Sequence, residues 1–285
     1  MAALDYLLIG HVTQDRVGKR FVLGGTVTYA ALTARNLGQR VGVLTSAAFE
    51  PGLVDVLHGI QVARLPAEET TRFVNTYDSN GRVQHLEARA AMIDPELVLP
   101  EWRDAPIVHL GPLDGEIPLE AVDAFPSALL GVTPQGWLRA WDESGLVRAC
   151  RWEGAERVLA RADAVILSEH DVADPADIER FASQARLLVV TRGERGASVC
   201  ADGAWHHVAA FQARRQSDPT GAGDVFAAAF LVHYRQSGDP VLSTAFANCV
   251  ASFAIEKQNH EGIPSLEQIQ ERWHRGRRRK QVGPA

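Results

Sequence analysis

The chain has 285 residues, 46% apolar and 22% charged, with a formal net charge of −6. That balance suits a globular enzyme with a large core and argues against nucleic acid as the main partner. Cys150, Cys200 and Cys249 lack paired spacing, which points away from a metal cluster and towards a reducing compartment, and no apolar run approaches the ~20 residues that span a bilayer. Met1 to Gly10 lacks the marks of a leader, so the expected location is cytoplasmic, with no membrane partner.

In chain order, Leu4 to Ile9 reads as a buried strand ending at Gly10. Gly25 to Leu37 reads as a helix stopped by Gly38, and Val41 to Thr45 as a second strand. Together they predict a parallel βαβ unit. From Thr71 to Met92, alternation around Asp78-Ser79-Asn80-Gly81 predicts a hairpin outside the main sheet. Strands at Ile107–Gly111, Leu129–Thr133, Ala164–Leu167 and Leu187–Thr191 alternate with helical patterns at Leu119–Phe125, Glu153–Arg161 and Pro175–Ala185. Ser198–Cys200 and Trp205–Val208 form a hairpin about Asp202-Gly203. Helices follow from about Ala222 and from Val241 to Lys257, and Ser265 to Gln268 fits the capping box of a last helix. This pattern predicts an α/β doubly wound, mostly parallel sheet flanked by helices, in a single domain over 1–285. The basic tail from Arg272 to Lys280 suits a solvated helix end or a contact with an anionic surface.

Asp218-Pro219-Thr220-Gly221-Ala222-Gly223-Asp224 runs straight into an apolar helix. A Gly-Ala-Gly turn at a helix start leaves backbone N–H groups converging on one spot, at the positive end of the dipole. A carboxylate there opposes plain anion binding but suits a base that takes a proton from a hydroxyl attacking a phosphate. The alternative is an ordinary loop-to-helix joint with an Asp favouring the dipole. No Gly-x-x-x-x-Gly-Lys pattern is present, which excludes a P-loop. The histidines, including His109 and His206-His207, show no metal spacing.

The Asp218-to-Asp224 segment resembles the C-terminal signature of the ribokinase-like (PfkB) carbohydrate kinases. The resemblance implies Asp224 as base, with the N–H groups of Gly221, Ala222 and Gly223 holding the transferred phosphoryl oxygens. It implies ATP and magnesium as cofactors. Gly24-Gly25 is similar to the family's glycine pair against which a polyol lies. Asp15 matches its acceptor of a substrate hydroxyl, with a loop Asx-turn as the alternative. Thr191-x-Gly193-x-x-Gly196 and Thr220 are similar to the family's nucleotide contacts. Asn248 falls among them too, with a buried helix Asn as the other reading. Gln135 and Arg139 follow a strand near the crevice and are candidates for substrate contact, with a surface ion pair as the alternative for Arg139. Family analogy also implies a monovalent cation, potassium, near Asp218 and Thr220.

Two departures stand out. The family's Asn-x-x-Glu is here Ser168-Glu169-His170-Asp171, so Asp171 would steer metal-bound water with a shorter reach. The strands usual before the glycine pair shrink to Arg16–Leu23, so a reduced β lid is expected from about 16–23 and 71–90, with monomer or homodimer open. The expected function is transfer of the ATP γ-phosphoryl group to a hydroxyl of a small sugar or cyclitol. The Gly10-to-Asp15 opening, the short lid and the Gln135-Gly136 segment look more like myo-inositol kinase relatives than like ribokinase itself. A nucleoside kinase, with Tyr29, Phe73 and Tyr77 as a base slot, and a non-catalytic sugar- or nucleotide-binding regulator are the rivals.

Overall fold

β1 (Tyr6–Ile9) is buried along its whole length in this computed structural model, which describes residues 3–17, 20–48, 55–78 and 81–281. The chain leaves β1 into an antiparallel pair, β2 (Thr13–Val17) and β3 (Arg20–Gly24). It returns through α1 (Gly25–Asn36), which Gly38 terminates at φ +86 with its N–H on the Arg35 carbonyl. β4 (Val41–Ala47) pairs parallel with β1, completing the expected unit, and β5 (Gln61–Pro66) extends the sheet. β6 (Thr71–Asp78) and β7 (Gly81–Ala88) form the expected hairpin, whose turn residues Ser79 and Asn80 lie outside the described residues. β2 pairs parallel with β6, so the second sheet has the order β3-β2-β6-β7.

β8 (Ile107–Leu110) and β9 (Leu129–Val132) continue the main sheet. β10 (Arg139–Trp141) and β11 (Val147–Ala149) make a short hairpin. Then come α2 (Ala155–Arg161), β12 (Ala164–Ser168), α3 (Ala176–Ala182), β13 (Leu187–Thr191), β14 (Ala197–Ala201) and β15 (Ala204–Val208). α4 (Ala222–Ser237), α5 (Pro240–Ala254) and α6 (Leu266–Gln281) close the chain. Ser265 and Gln268 exchange the two capping bonds, at 2.9 and 3.3 Å. The tail side chains from 277 onwards lie outside the described residues.

Among the described residues the main sheet has the order β15-β14-β13-β12-β9-β8-β1-β4-β5. It is parallel from β13 to β5, and β14 and β15 are antiparallel. This is a ribokinase-like α/β fold. Side-chain alternation divides the core. Tyr6, Leu8, Val43, Ile166 and Val189 face α1, α4 and α5. Leu7, Ile9, Leu44, Val165 and Val190 face the side of α2 and α3. His109 is a core residue between the Tyr6 hydroxyl and Thr133, and burial pushes it down to about 3.

Three elements differ from expectation. Leu119–Asp123 is a 3-10 turn rather than an α-helix, because Pro118 and Pro126 bracket it too closely. Asp15 lies within strand β2 of the second sheet rather than in a loop, which removes its Asx-turn reading. β10 and β11 were not foreseen.

Candidate active site

The strands β9, β12 and β13 end at one edge of the sheet, where ligands of doubly wound folds gather. A crevice of about 1150 Å³ opens there, between that edge, the start of α4, the face of α5 and the second sheet.

At its floor, Gly221 adopts φ +76 and caps α4. A Cβ there would collide with the ring of Tyr29 on α1, so glycine is required twice over. Val225 N–H returns to the Gly221 carbonyl, and Thr220 N–H is held by Asp218 Oδ1 at 2.9 Å. One of the three expected amides differs. Ala222 N–H turns back onto the Pro219 carbonyl at 3.2 Å, which leaves Gly221 and Gly223 as donors with no intramolecular acceptor among the described residues. Gly223 has open space on its Cα side.

Asp224 stands beside this turn, half-buried. Burial raises its carboxyl to about 6, and the charges of Asp171 and Asp15 push the same way. A hydrogen bond from Thr26 and the Arg139 guanidinium oppose them. Thr26 was not foreseen. On α1, Thr28 and Thr33 bond back to the carbonyls of Gly24 and Tyr29, whereas Thr26 in the first turn has no helical carbonyl behind it and turns to Asp224. Its only sequence signal is its place after the glycine pair.

The crevice brings together Asp15, Gly25, Gln135, Arg139, Asp171, Thr191, Gly193, Gly196, Thr220, Asn248 and the 221–224 turn. Gly24 sits just behind, where a Cβ would strike the Asp15 carboxylate, and Gly25 needs φ +86 with the His11 carbonyl close by. Asp218 does not line the crevice. Asp171 is fixed by Ser168 N–H at 2.8 Å and by Gln135 Nε2 at 3.1 Å, so Gln135 contacts Asp171 rather than standing alone. Glu169 ties down the loop after β13 through Arg192 at 3.1 Å. Asn248 spends its amide on the carbonyls of Val208 and Ala209, 3.0 and 3.2 Å away, a structural duty that joins α5 to the end of β15. Phe73, Leu113 and Val147 form an apolar wall that chain order could not reveal. The side chain of Tyr77 lies outside the described residues.

The chain matches kinases, phosphotransferases with an alcohol group as acceptor. Residues 146–266 match the pfkB family carbohydrate kinase model. A cytidine kinase of Thermococcus kodakarensis is 28% identical over 255 residues, covering 81% of this chain and 88% of that protein. A nucleoside kinase of Methanocaldococcus jannaschii is 23% identical over 218 residues, covering 74% and 69%. The solved structure of a nucleoside kinase from that organism superposes with TM-score 0.78 at 19% identity, covering 96% of this chain and 100% of that one. A pyrophosphate-dependent kinase in the ribokinase family, complexed with a pyrophosphate analog and myo-inositol, superposes with TM-score 0.74 at 24% identity, covering 90% and 98%. Among the described residues no helix is long and apolar enough to cross a membrane.

Proposed function

We propose that the protein transfers the γ-phosphoryl group of ATP to a hydroxyl of a small cyclitol or sugar, with myo-inositol as the first acceptor to try. The observation that carries this reading is Asp224, raised to about 6 beside a donor turn and between the opposed charges of Asp15 and Arg139. A base of that strength is mostly ionised at pH 7 yet still takes a proton readily. The acceptor hydroxyl lies between Asp15 and Asp224, and Gly24-Gly25 lets its ring approach the backbone. As the hydroxyl attacks, Asp224 receives its proton. The N–H groups of Gly221 and Gly223, with the dipole of α4, meet the charge on the phosphoryl oxygens. The donor runs past Thr220 and the Thr191–Gly196 loop towards α5.

Magnesium would come with the nucleotide phosphates and supply charge neutralisation there. Asp171 fits a water-mediated contact: it lies near enough to Asp224 to raise its carboxyl, while its own oxygens already take two N–H donors. Asp218 and Thr220 are the candidate potassium site. The second sheet serves as a lid over the acceptor.

A second reading, a nucleoside acceptor, rests on the apolar wall of Phe73, Leu113 and Val147 and on the two nucleoside-kinase relatives. Product formation over myo-inositol, ribose, fructose and cytidine, each with ATP and with pyrophosphate, tests both. Strong turnover of inositol supports the first reading, strong turnover of cytidine replaces it with the second, and binding without product on any acceptor sinks both.

A further inference from the structure

Behind the crevice lies a buried charged cluster outside the phosphoryl-transfer machinery. His11, Asp114 and Glu116 are all fully buried, and their ligating atoms lie within 4.8 Å of one another. They sit where the chain passes between the two sheets. His11 is in the link from β1 to β2, Thr71 opens β6, Arg89 to Ala91 follow β7, and Asp114 and Glu116 follow β8.

The hydrogen bonds set the protons. His11 Nε2 lies 2.9 Å from the Ala91 carbonyl, which only accepts, so Nε2 carries a hydrogen. Nδ1 lies 3.4 Å from Asp114 Oδ1, a buried oxygen with no hydrogen-bond partner, and 2.8 Å from Thr71 Oγ1. Thr71 Oγ1 itself accepts the Ala90 N–H at 2.9 Å. Asp114 Oδ2 takes Arg89 Nε–H at 3.0 Å, and Arg89 stacks on Trp141 at the turn end of the β10–β11 hairpin. Glu116 accepts the N–H groups of His11, Leu113 and Asp114, at 3.0, 2.8 and 3.0 Å; burial and the neighbouring Asp114 charge push its carboxyl up, and these three donors, with a charged His11, hold it ionised. Two carboxylates and one guanidinium leave one negative charge uncompensated in a dry site, an expensive arrangement. A proton on Nδ1 cancels it and gives Asp114 Oδ1 its partner.

A metal ion would cancel the charge too, but Arg89 repels it and the three N–H donors already occupy Glu116. We propose that His11 is an imidazolium that pins the second sheet to the main body and so positions the acceptor wall, Leu113 and Phe73, acting through Asp114 and Thr71 rather than on the substrate. This inference rests on the acceptor pocket assigned above. Asp114 and Glu116 favour the charged ring and outweigh its burial, which agrees with that protonation state.

Two experiments test it. Nitrogen-15 NMR of histidine-labelled wild-type protein at pH 7 should show one ring with both nitrogens protonated, lost in His11→Gln. A neutral His11, with bare Nδ1 accepting from Thr71, overturns the proposal, and this readout holds whatever the acceptor is. In steady-state kinetics, Asp114→Asn, which keeps the shape but removes the charge, should raise the acceptor KM about tenfold and leave kcat and the ATP KM within twofold. In wild type the same KM rise should appear as pH climbs past the His11 titration, and be absent in the variant. Equal losses in kcat and both KM values would mark a merely structural residue. Failure of Asp224→Asn to lose activity would instead overturn the functional reading and leave the NMR result standing.

Discussion

The two ends of the crevice are built in opposite ways. The proposed phosphoryl-transfer end is one continuous turn and helix start, Gly221 to Asp224, whose donors and carboxylate are fixed by local backbone geometry. The proposed acceptor end is assembled from β2, α1, β6, the segment after β8 and the β10–β11 hairpin, with Asp15, Thr26, Phe73, Leu113 and Val147 contributed from far apart. The first end leaves little room for variation, because one Cβ at Gly221 strikes Tyr29. The second can change its shape by altering any of several separate segments. On the proposed reading, chemistry and acceptor choice are therefore separable in this molecule.

Substitutions should reveal that separation. Asp224→Asn should lower kcat by roughly two to four orders of magnitude for every acceptor alike, measured by product formation. The same variant should be more stable than wild type at neutral pH. Asp224 binds its proton more tightly folded than unfolded, so its charge costs stability above the folded value of about 6, and that cost is relieved as pH falls through it. A rise in melting temperature at pH 7.5 that shrinks as pH falls through about 6 and is gone only below the unfolded value of 3.8 checks the sign, and wild-type kcat should fall below about pH 6 as the base is lost.

Gly221→Ala should come next. The strain at positive φ and the overlap with Tyr29 should destabilise the protein by ~1–3 kcal/mol in denaturant titration and lower kcat with little change in acceptor preference. Arg139→Ala should act at the other end, raising the acceptor KM about tenfold and leaving the ATP KM unchanged. It should also move the acid limb of the rate profile to higher pH, since Arg139 holds Asp224 down. If Arg139→Ala slowed all acceptors equally without touching KM, the two ends would not be separable.

The same contrast explains what the sequence could and could not reveal. Gly221 to Asp224 was readable because its chemistry is contained in consecutive residues. The strands β1, β4, β8, β9, β12 and β13 were readable because buried parallel strands are short apolar runs between helices. β10 and β11 span three residues each, with half-exposed side chains, and carry no period. Asp15 looked like a loop residue because the polar run Thr13 to Arg16 becomes a strand only by pairing with β3 and β6. The Asp171–Gln135 contact joins residues 36 apart, and the His11 Nδ1 bond to Thr71 joins residues 60 apart; neither leaves a local trace.

Gly145 has one further consequence. It turns the β10–β11 hairpin at φ +79, and its carbonyl accepts the Leu86 N–H at 2.9 Å, while a Cβ on it would run into the Leu86 carbonyl. The hairpin is a sheet of its own and β7 belongs to the second sheet, so this bond joins the two beside the crevice. Any movement of β7 away from the hairpin must break it, which makes the Leu86 amide a reporter of that contact. Its deuterium uptake should slow when acceptor fills the crevice, while amides deep in β1 and β8 keep their pace.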